Sequence, residues 1–169
     1  IYSDLIKDEK EYPNAIKYLS LYRDKLSLRR ECAKGYRKWY GLQWGRNEKD
    51  FENPKIVFPY KSKSINFYYD ENGYFCSADV YIMNDFTKNV TVDYLISYLN
   101  SEVFEFYLKC NAKKVGNGVY EYYPNKLNNL KIFLPQENIQ QNFSRLGKFS
   151  IDIFLKKLFN ISEKEVYII

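Results

Sequence analysis

The sequence predicts an α+β fold, with an antiparallel, β-rich core flanked by an N-terminal helix, a central helix pair and a C-terminal helix. Three observations lead there. Apolar residues recur at three-and-four spacing in the opening, the third quarter and the tail of the chain. Between the first two of these stretches, short alternating runs are separated by turn residues, and Asn72-Gly73 lies between two aromatic runs. With 169 residues, 46% of them hydrophobic, the chain can bury the core of one ordinary domain.

Taken in order, residues 1–11 read as a polar lead-in, and Pro13 stands where a helix favours its first residue. Tyr12, Ile16, Leu19, Tyr22 and Leu26 follow at helical spacing, so one helix is expected from Pro13 to Lys34, stopped by Gly35. Strands are expected at 55–60, 65–69, 74–76 and 79–83, and Asn72-Gly73 should join Phe67-Tyr68-Tyr69 to Tyr74-Phe75-Cys76 as a hairpin. Leu95, Leu99, Phe104 and Leu108 mark two helices interrupted at Asn100-Ser101, with Ser101 capping the second and Glu102 and Glu105 in its first turn. Residues 113–117 read as a loop, 119–123 and 130–134 as strands. Ile139, Phe143, Leu146, Ile153 and Leu158 mark a final helical stretch with Gly147 inside it.

Composition narrows function. The chain has no histidine, which removes histidine acid–base chemistry, histidine metal sites and Ser–His or Cys–His nucleophiles. Its three cysteines (Cys32, Cys76 and Cys110) are scattered and read as reduced thiols. A net charge of +5 permits a polyanionic partner without demanding one. The 18 tyrosines and 12 phenylalanines suit a half-wet recognition surface, and equally reflect an AT-rich coding bias that also raises Lys, Asn and Ile. No signal segment or bilayer-length apolar run is visible, so a soluble, cytoplasmic fragment of a longer chain is expected, without membrane contact.

An ordered series of short motifs now lines up. Arg37-Lys38-Trp39-Tyr40-x-Leu42 is followed by Phe51-x-x-Pro54-Lys55-Ile56-x-x-Pro59, then by Phe67-x-x-Asp70-x-x-Gly73-Tyr74-Phe75 and Asp79-x-Tyr81. Tyr98-Leu99-Asn100-Ser101, Phe106-Tyr107, Gly116-x-Gly118, Tyr120-Glu121-x-Tyr123-Pro124 and Leu130-x-Ile132-x-x-Pro135 complete it. Together, over roughly residues 12–135, they resemble the TaqI-like C-terminal specificity domain of type II and type IIG restriction–modification adenine DNA methyltransferases. The tail after Pro135 is similar to the helix that follows each recognition unit in type I specificity subunits.

The resemblance implies a target-recognition domain over 1–135, led by a helix at 12–35, with a helical extension at 136–169 packed on it. It implies double-stranded DNA as partner, read in the major groove, and a separate upstream methyltransferase domain or partner subunit that flips the adenine. S-adenosylmethionine is implied for that missing domain and no cofactor for this one. The chain lacks an Asn/Asp-Pro-Pro-aromatic motif, and Gly116-Asn117-Gly118 leads into a strand where a cofactor loop would lead into a helix. No catalytic residue and no metal ligand is expected; Glu48-Lys49-Asp50 through Lys55 offers nuclease-type residues but reads as surface charge. The alternative is a protein-interaction or structural domain docking on a catalytic or specificity subunit.

Candidate DNA contacts follow from residue chemistry. Arg23, Arg30, Lys34 and Arg37 would form a cationic stripe if the first helix ran that far, and Lys38 beside Arg37 is a further candidate contact. Gln43 and Arg46, beside Trp44 and Gly45, are planar bidentate groups suited to adenine and guanine. Lys61 and Lys63 lie in a basic, hydroxyl-rich turn suited to phosphate. The strongest candidate is the segment holding Lys113, Lys114 and Asn117 between Gly116 and Gly118, followed by Tyr120 and Tyr122 on one strand face. Trp39 is expected in a core and Trp44 at the surface.

Overall fold

The computed structural model describes residues 1–145 and 148–162. The chain divides into two compact units, Ile1–Glu48 and Lys49–Ile169.

In the first unit the single helix expected over 13–34 is three: α1 (Pro13–Ser20), α2 (Arg23–Ser27) and α3 (Arg30–Ala33). Tyr22 and Arg29 leave helical geometry at the two breaks. Arg29 is extended and directs its guanidinium to the carbonyls of Leu26 (3.0 Å), Trp39 (2.9 Å) and Gly41 (2.7 Å). Neither break carries Gly or Pro, so the apolar spacing ran through both unmarked. The cationic stripe therefore does not exist as one helix face. Arg23 instead stacks on Trp39, 5.0 Å from its ring centre, and that indole is half-buried. Gly35, at φ +75°, ends α3 as expected, with the Tyr36 N–H reaching back to the Glu31 carbonyl (2.8 Å). Asp4 holds the lead-in to the 41–45 loop by accepting the Leu42 N–H at 2.7 Å. A Cβ on Gly45 would stand 1.9 Å from its other oxygen, so any larger residue there would have to displace that carboxylate.

The second unit holds two three-stranded antiparallel sheets. After the short helix α4 (Lys49–Glu52) come β1 (Lys55–Pro59), β2 (Lys61–Ser62), β3 (Tyr68–Asp70) and β4 (Val80–Met83). The order of the first sheet is β3-β1-β4. The second sheet combines β2 with β5 (Lys113–Gly116) and β6 (Val119–Glu121), in the order β2-β6-β5. Tyr60 joins them: its N–H bonds the Asp79 carbonyl beside the first sheet, and its carbonyl takes the Tyr122 N–H beside the second, both at 2.8 Å.

The hairpin expected at Asn72-Gly73 does not form, because β3 pairs with β1 and Tyr74–Cys76 is not a strand. Lys55 and Asp70 are register partners, and the fully buried Lys55 ammonium bonds both the Asp70 carboxylate and the Phe51 carbonyl. Asp70 also accepts the N–H groups of Asn72 (2.9 Å) and Tyr74 (3.0 Å), which turns the chain toward α4. Phe75 then stacks on Phe51 with ring centres 4.7 Å apart. Asp70 is thus one half of a buried ion pair that also shapes the turn.

The helix pair appears where the periodicity placed it, as α5 (Val92–Leu99) and α6 (Glu102–Asn111), and Ser101 caps α6 by accepting the Phe104 N–H at 3.1 Å. Asn100 acts as a strand surrogate: its amide accepts the Phe67 N–H and donates to the Phe67 carbonyl, both at 2.9 Å. A short helix α7 (Pro124–Leu127) leads to residues 130–134, which are not the strand expected and join no sheet. Tyrosine hydroxyls serve this backbone instead. Tyr107 accepts the Lys131 N–H and Tyr98 the Phe133 N–H, each at 3.3 Å, and Tyr94 donates to the Phe133 carbonyl. The final stretch comprises α8 (Glu137–Arg145) and α9 (Lys148–Phe159); Leu146 and Gly147 lie outside the described residues.

One core joins β1, α5, α6, β6, α8 and α9 through Ile56, Phe58, Tyr94, Leu99, Leu108, Tyr122, Phe143, Ile151 and Leu155. Fully buried side chains such as Ile56, Leu108 and Leu155 contribute about 1.5–3 kcal/mol each. Gln140, 1% exposed, accepts the Thr91 N–H and donates to the Asn89 and Pro135 carbonyls, anchoring α8 ahead of α5.

Burial alone would raise the Asp70 carboxyl, but the Lys55 ammonium and the Asn72 and Tyr74 N–H groups outweigh it and hold it below the usual value. A carboxyl depressed on folding adds stability that is present above its unfolded pKa and lost as pH falls through the folded one. Stability should therefore decline from about pH 4 downward. Asp70→Asn should remove that acid limb and, by stranding a buried ammonium, cost about 3–5 kcal/mol at neutral pH. Urea denaturation of both proteins at pH 7 and pH 3 measures each effect.

Candidate nucleic-acid interface

Asn117-Gly118 closes the β5–β6 hairpin. Both residues have positive φ, 50° and 73°, the pattern of a two-residue type I′ turn. Residues 113–117, expected as a loop, are therefore mostly strand. Lys113 faces Glu121, Lys114 faces Tyr120 and Gly116 faces Val119, with an irregularity between Lys114 and Gly116 that leaves Val115 bulged. Lys113, Lys114, Val115 and Asn117 are all exposed.

Tyr120 on β6 and Tyr122 just beyond its end both point inward. Their exposures of 4% and 0% remove both from the contact surface, a correction to their expected role. Tyr120 instead carries cations on its ring: the ammoniums of Lys109 and Lys114 each lie 5.7 Å from its centre. Burial pushes the Tyr122 phenol up to about 12 against the opposing influence of the Ser62 side chain, and its hydroxyl donates a long hydrogen bond to the Ser62 carbonyl.

Across the sheet, Lys61 on β2 also faces Glu121. Glu121 Oε1 lies 3.7 Å from the Lys61 ammonium and accepts the Tyr60 hydroxyl at 3.2 Å, while Oε2 lies 3.5 Å from the Lys113 ammonium. The Tyr60 phenol, and behind it Glu121, raise the Lys61 ammonium above its usual value. Tyr123 stands beside them, exposed, with its hydroxyl 3.4 Å from that of Tyr60. That hydrogen bond and the Glu121 charge push the Tyr123 phenol up to about 12.

The fold thus gathers Lys61, Lys113, Lys114 and Asn117 on one three-stranded sheet and its tip, and Lys63 is exposed just beyond β2. The other candidates belong to the first unit. Arg37 pairs with Asp4 at 3.3 Å, and Lys38 donates to the Lys7 carbonyl at 3.2 Å. Gln43 and Trp44 are exposed, and the Arg46 backbone is clamped by the Tyr2 hydroxyl. Sequence reasoning missed Tyr60, Glu121 and Tyr123. The available signal was an acid flanked by tyrosines in an otherwise basic hairpin.

The TaqI-like C-terminal specificity domain family matches residues 3–132, and the chain belongs to that family. A curated relative, the type II methyltransferase M.BanIII of Aneurinibacillus aneurinilyticus, is 35% identical over 69 residues, which are 41% of this chain and 12% of the relative. The matched stretch is thus a small part of that protein. The family places this chain in a restriction–modification setting as a specificity domain. Among the described residues, no helix is long and apolar enough to cross a membrane.

Because Asn117 already has positive φ, Asn117→Gly should keep the hairpin, with stability changed by less than about 1 kcal/mol. Asn117→Val, β-branched at positive φ, should be clearly less stable. Thermal unfolding of the two variants side by side checks the turn assignment.

Proposed function

We propose that this chain is the sequence-specific, double-stranded DNA recognition module of an adenine-specific methyltransferase or restriction–modification enzyme. It seats a duplex for a catalytic domain carried upstream on the parent chain or on a partner subunit. The observation that carries the reading is the exposed, basic β5–β6 hairpin of a specificity-domain family member, with a planar amide at its tip. A two-stranded ribbon fits the major groove of B-DNA.

In this reading, the lysines of the sheet, with Lys63, Arg37 and Lys38, meet phosphates, which positions the duplex without reading it. Asn117, Gln43 and Arg46 are the base readers, since each can make two hydrogen bonds to one base edge. S-adenosylmethionine supplies the methyl group on the catalytic domain. In this chain Gly116–Gly118 turns a strand into a strand and not into a helix N-terminus. The setting is cytoplasmic.

A second reading, a docking domain for a catalytic or specificity subunit, draws support from the large apolar side chains that the first unit exposes, among them Leu21, Leu28, Tyr36 and Trp44. It is compatible with the first, since a recognition module must also be held to its catalytic partner.

Random duplex should bind the isolated chain weakly and with steep salt dependence. Absence of binding even at low salt would leave only the docking reading. In the parent enzyme, Lys114→Ala and, more weakly, Lys113→Ala should lower activity equally on all sites. Asn117→Gly should relax one position of the target by about 1–3 kcal/mol. Methylation of a degenerate-site library, read position by position, distinguishes the two; an unchanged preference profile for Asn117→Gly, Gln43→Ala and Arg46→Ala alike overturns the assignment of readers.

A further inference from the structure

The β2-β6-β5 sheet carries a charge that works against binding a polyanion. Glu121 sits on the middle strand with a lysine as register partner on each side. Its side chain is only 10% exposed, while those of Lys61 and Lys113 are 46% and 71% exposed. Oε1 is satisfied by the Tyr60 hydroxyl; Oε2 is buried and takes no hydrogen bond among the described residues, with the Lys113 ammonium 3.5 Å away. A carboxylate in so dry a place costs desolvation free energy, which the two ammoniums offset. A glutamine would keep the shape and the Tyr60 contact without that cost. Lys114 stands apart: its register partner is Tyr120, so it leaves the ribbon on the opposite face from Glu121, with its ammonium over the Tyr120 ring and no carboxylate among the described residues within ion-pair reach.

Accepting this sheet as the DNA-facing surface, we infer that Glu121 is a positioning residue that ties up Lys61 and Lys113 and so tempers phosphate attraction, leaving Lys114 as the principal phosphate contact of the hairpin. The face then presents about one net positive charge where its two outer lysines alone would present two. Weaker general attraction matters to a module that must leave the many incorrect sites it meets.

The test is random-duplex binding by the 169-residue chain and its Glu121→Gln variant across a salt series. Each phosphate newly neutralised adds about 0.9 to the log–log salt slope, so the variant should bind several-fold tighter at low salt with a slope steeper by about 1–2. Adding Lys61→Ala and Lys113→Ala to the variant should abolish that gain. Equal slopes and affinities for two folded proteins overturn the role of Glu121 while leaving the DNA reading intact; no binding by either at low salt overturns both. A measurement on the unaltered chain stands beside this should the variant not fold. Limited acylation of lysines with and without duplex should show Lys114 shielded more strongly than Lys61 and Lys113. Equal shielding of all three overturns the inference.

Discussion

An ammonium with no exposure to solvent, at the first residue of a central strand, must find its counter-charge within reach. Lys55 finds it in Asp70, directly across the β1–β3 ladder, and in the Phe51 carbonyl one turn behind it. A slip of one residue would set Lys55 against Tyr69 and strand the charge, so the pair selects the register more than it adds stability. The same carboxylate bends the chain at 72–74 and so brings Phe75 onto Phe51. With β1 fixed at that end, its other end delivers Tyr60 to the junction of the two sheets, and the junction places β2 beside β6. The basic face is therefore located by a run of backbone bonds that begins at one buried ion pair.

The strands are short, and side chains complete what strands leave undone. Asn100 pairs with Phe67 as a neighbouring strand would, three tyrosine hydroxyls serve the backbone of 131–133, and Gln140 ties three separate backbone positions together. Buried backbone groups must be paired by something, and here polar side chains do it. This explains part of the tyrosine content, which composition alone left divided between a recognition surface and coding bias. Tyr94, Tyr98, Tyr120 and Tyr122 are framework, while Tyr123 reaches solvent.

Long-period features were legible in the sequence, and features that depend on distant partners were not. The α5–α6 pair, its cap at Ser101 and the stop at Gly35 are written in local residues, and they appear where local chemistry puts them. The two Asn-Gly dipeptides show the limit. Asn117-Gly118 closes a hairpin, whereas Asn72-Gly73, flanked by the more strand-like runs, does not, because Asp70 answers to Lys55 fifteen residues earlier. The broken N-terminal helix has the same origin: the Arg29 guanidinium is drawn to carbonyls ten and twelve residues ahead, and periodicity carries no trace of them. Among the candidate contacts, residue type identified the basic hairpin. It could not tell which face of β6 turns inward, and so misplaced Tyr120 and Tyr122 and passed over Glu121.

The hairpin separates two kinds of position on the same few residues. Tyr120 and Tyr122 hold the strand in the core and Lys113 answers the Glu121 charge, while Lys114, Val115 and Asn117 project outward from the ladder. For these three only the turn restricts replacement, and it accepts several small polar residues. A lineage carrying this scaffold can therefore exchange its outward residues singly, each change free of a folding defect, and drift from one recognised sequence to another while the interior stays the same.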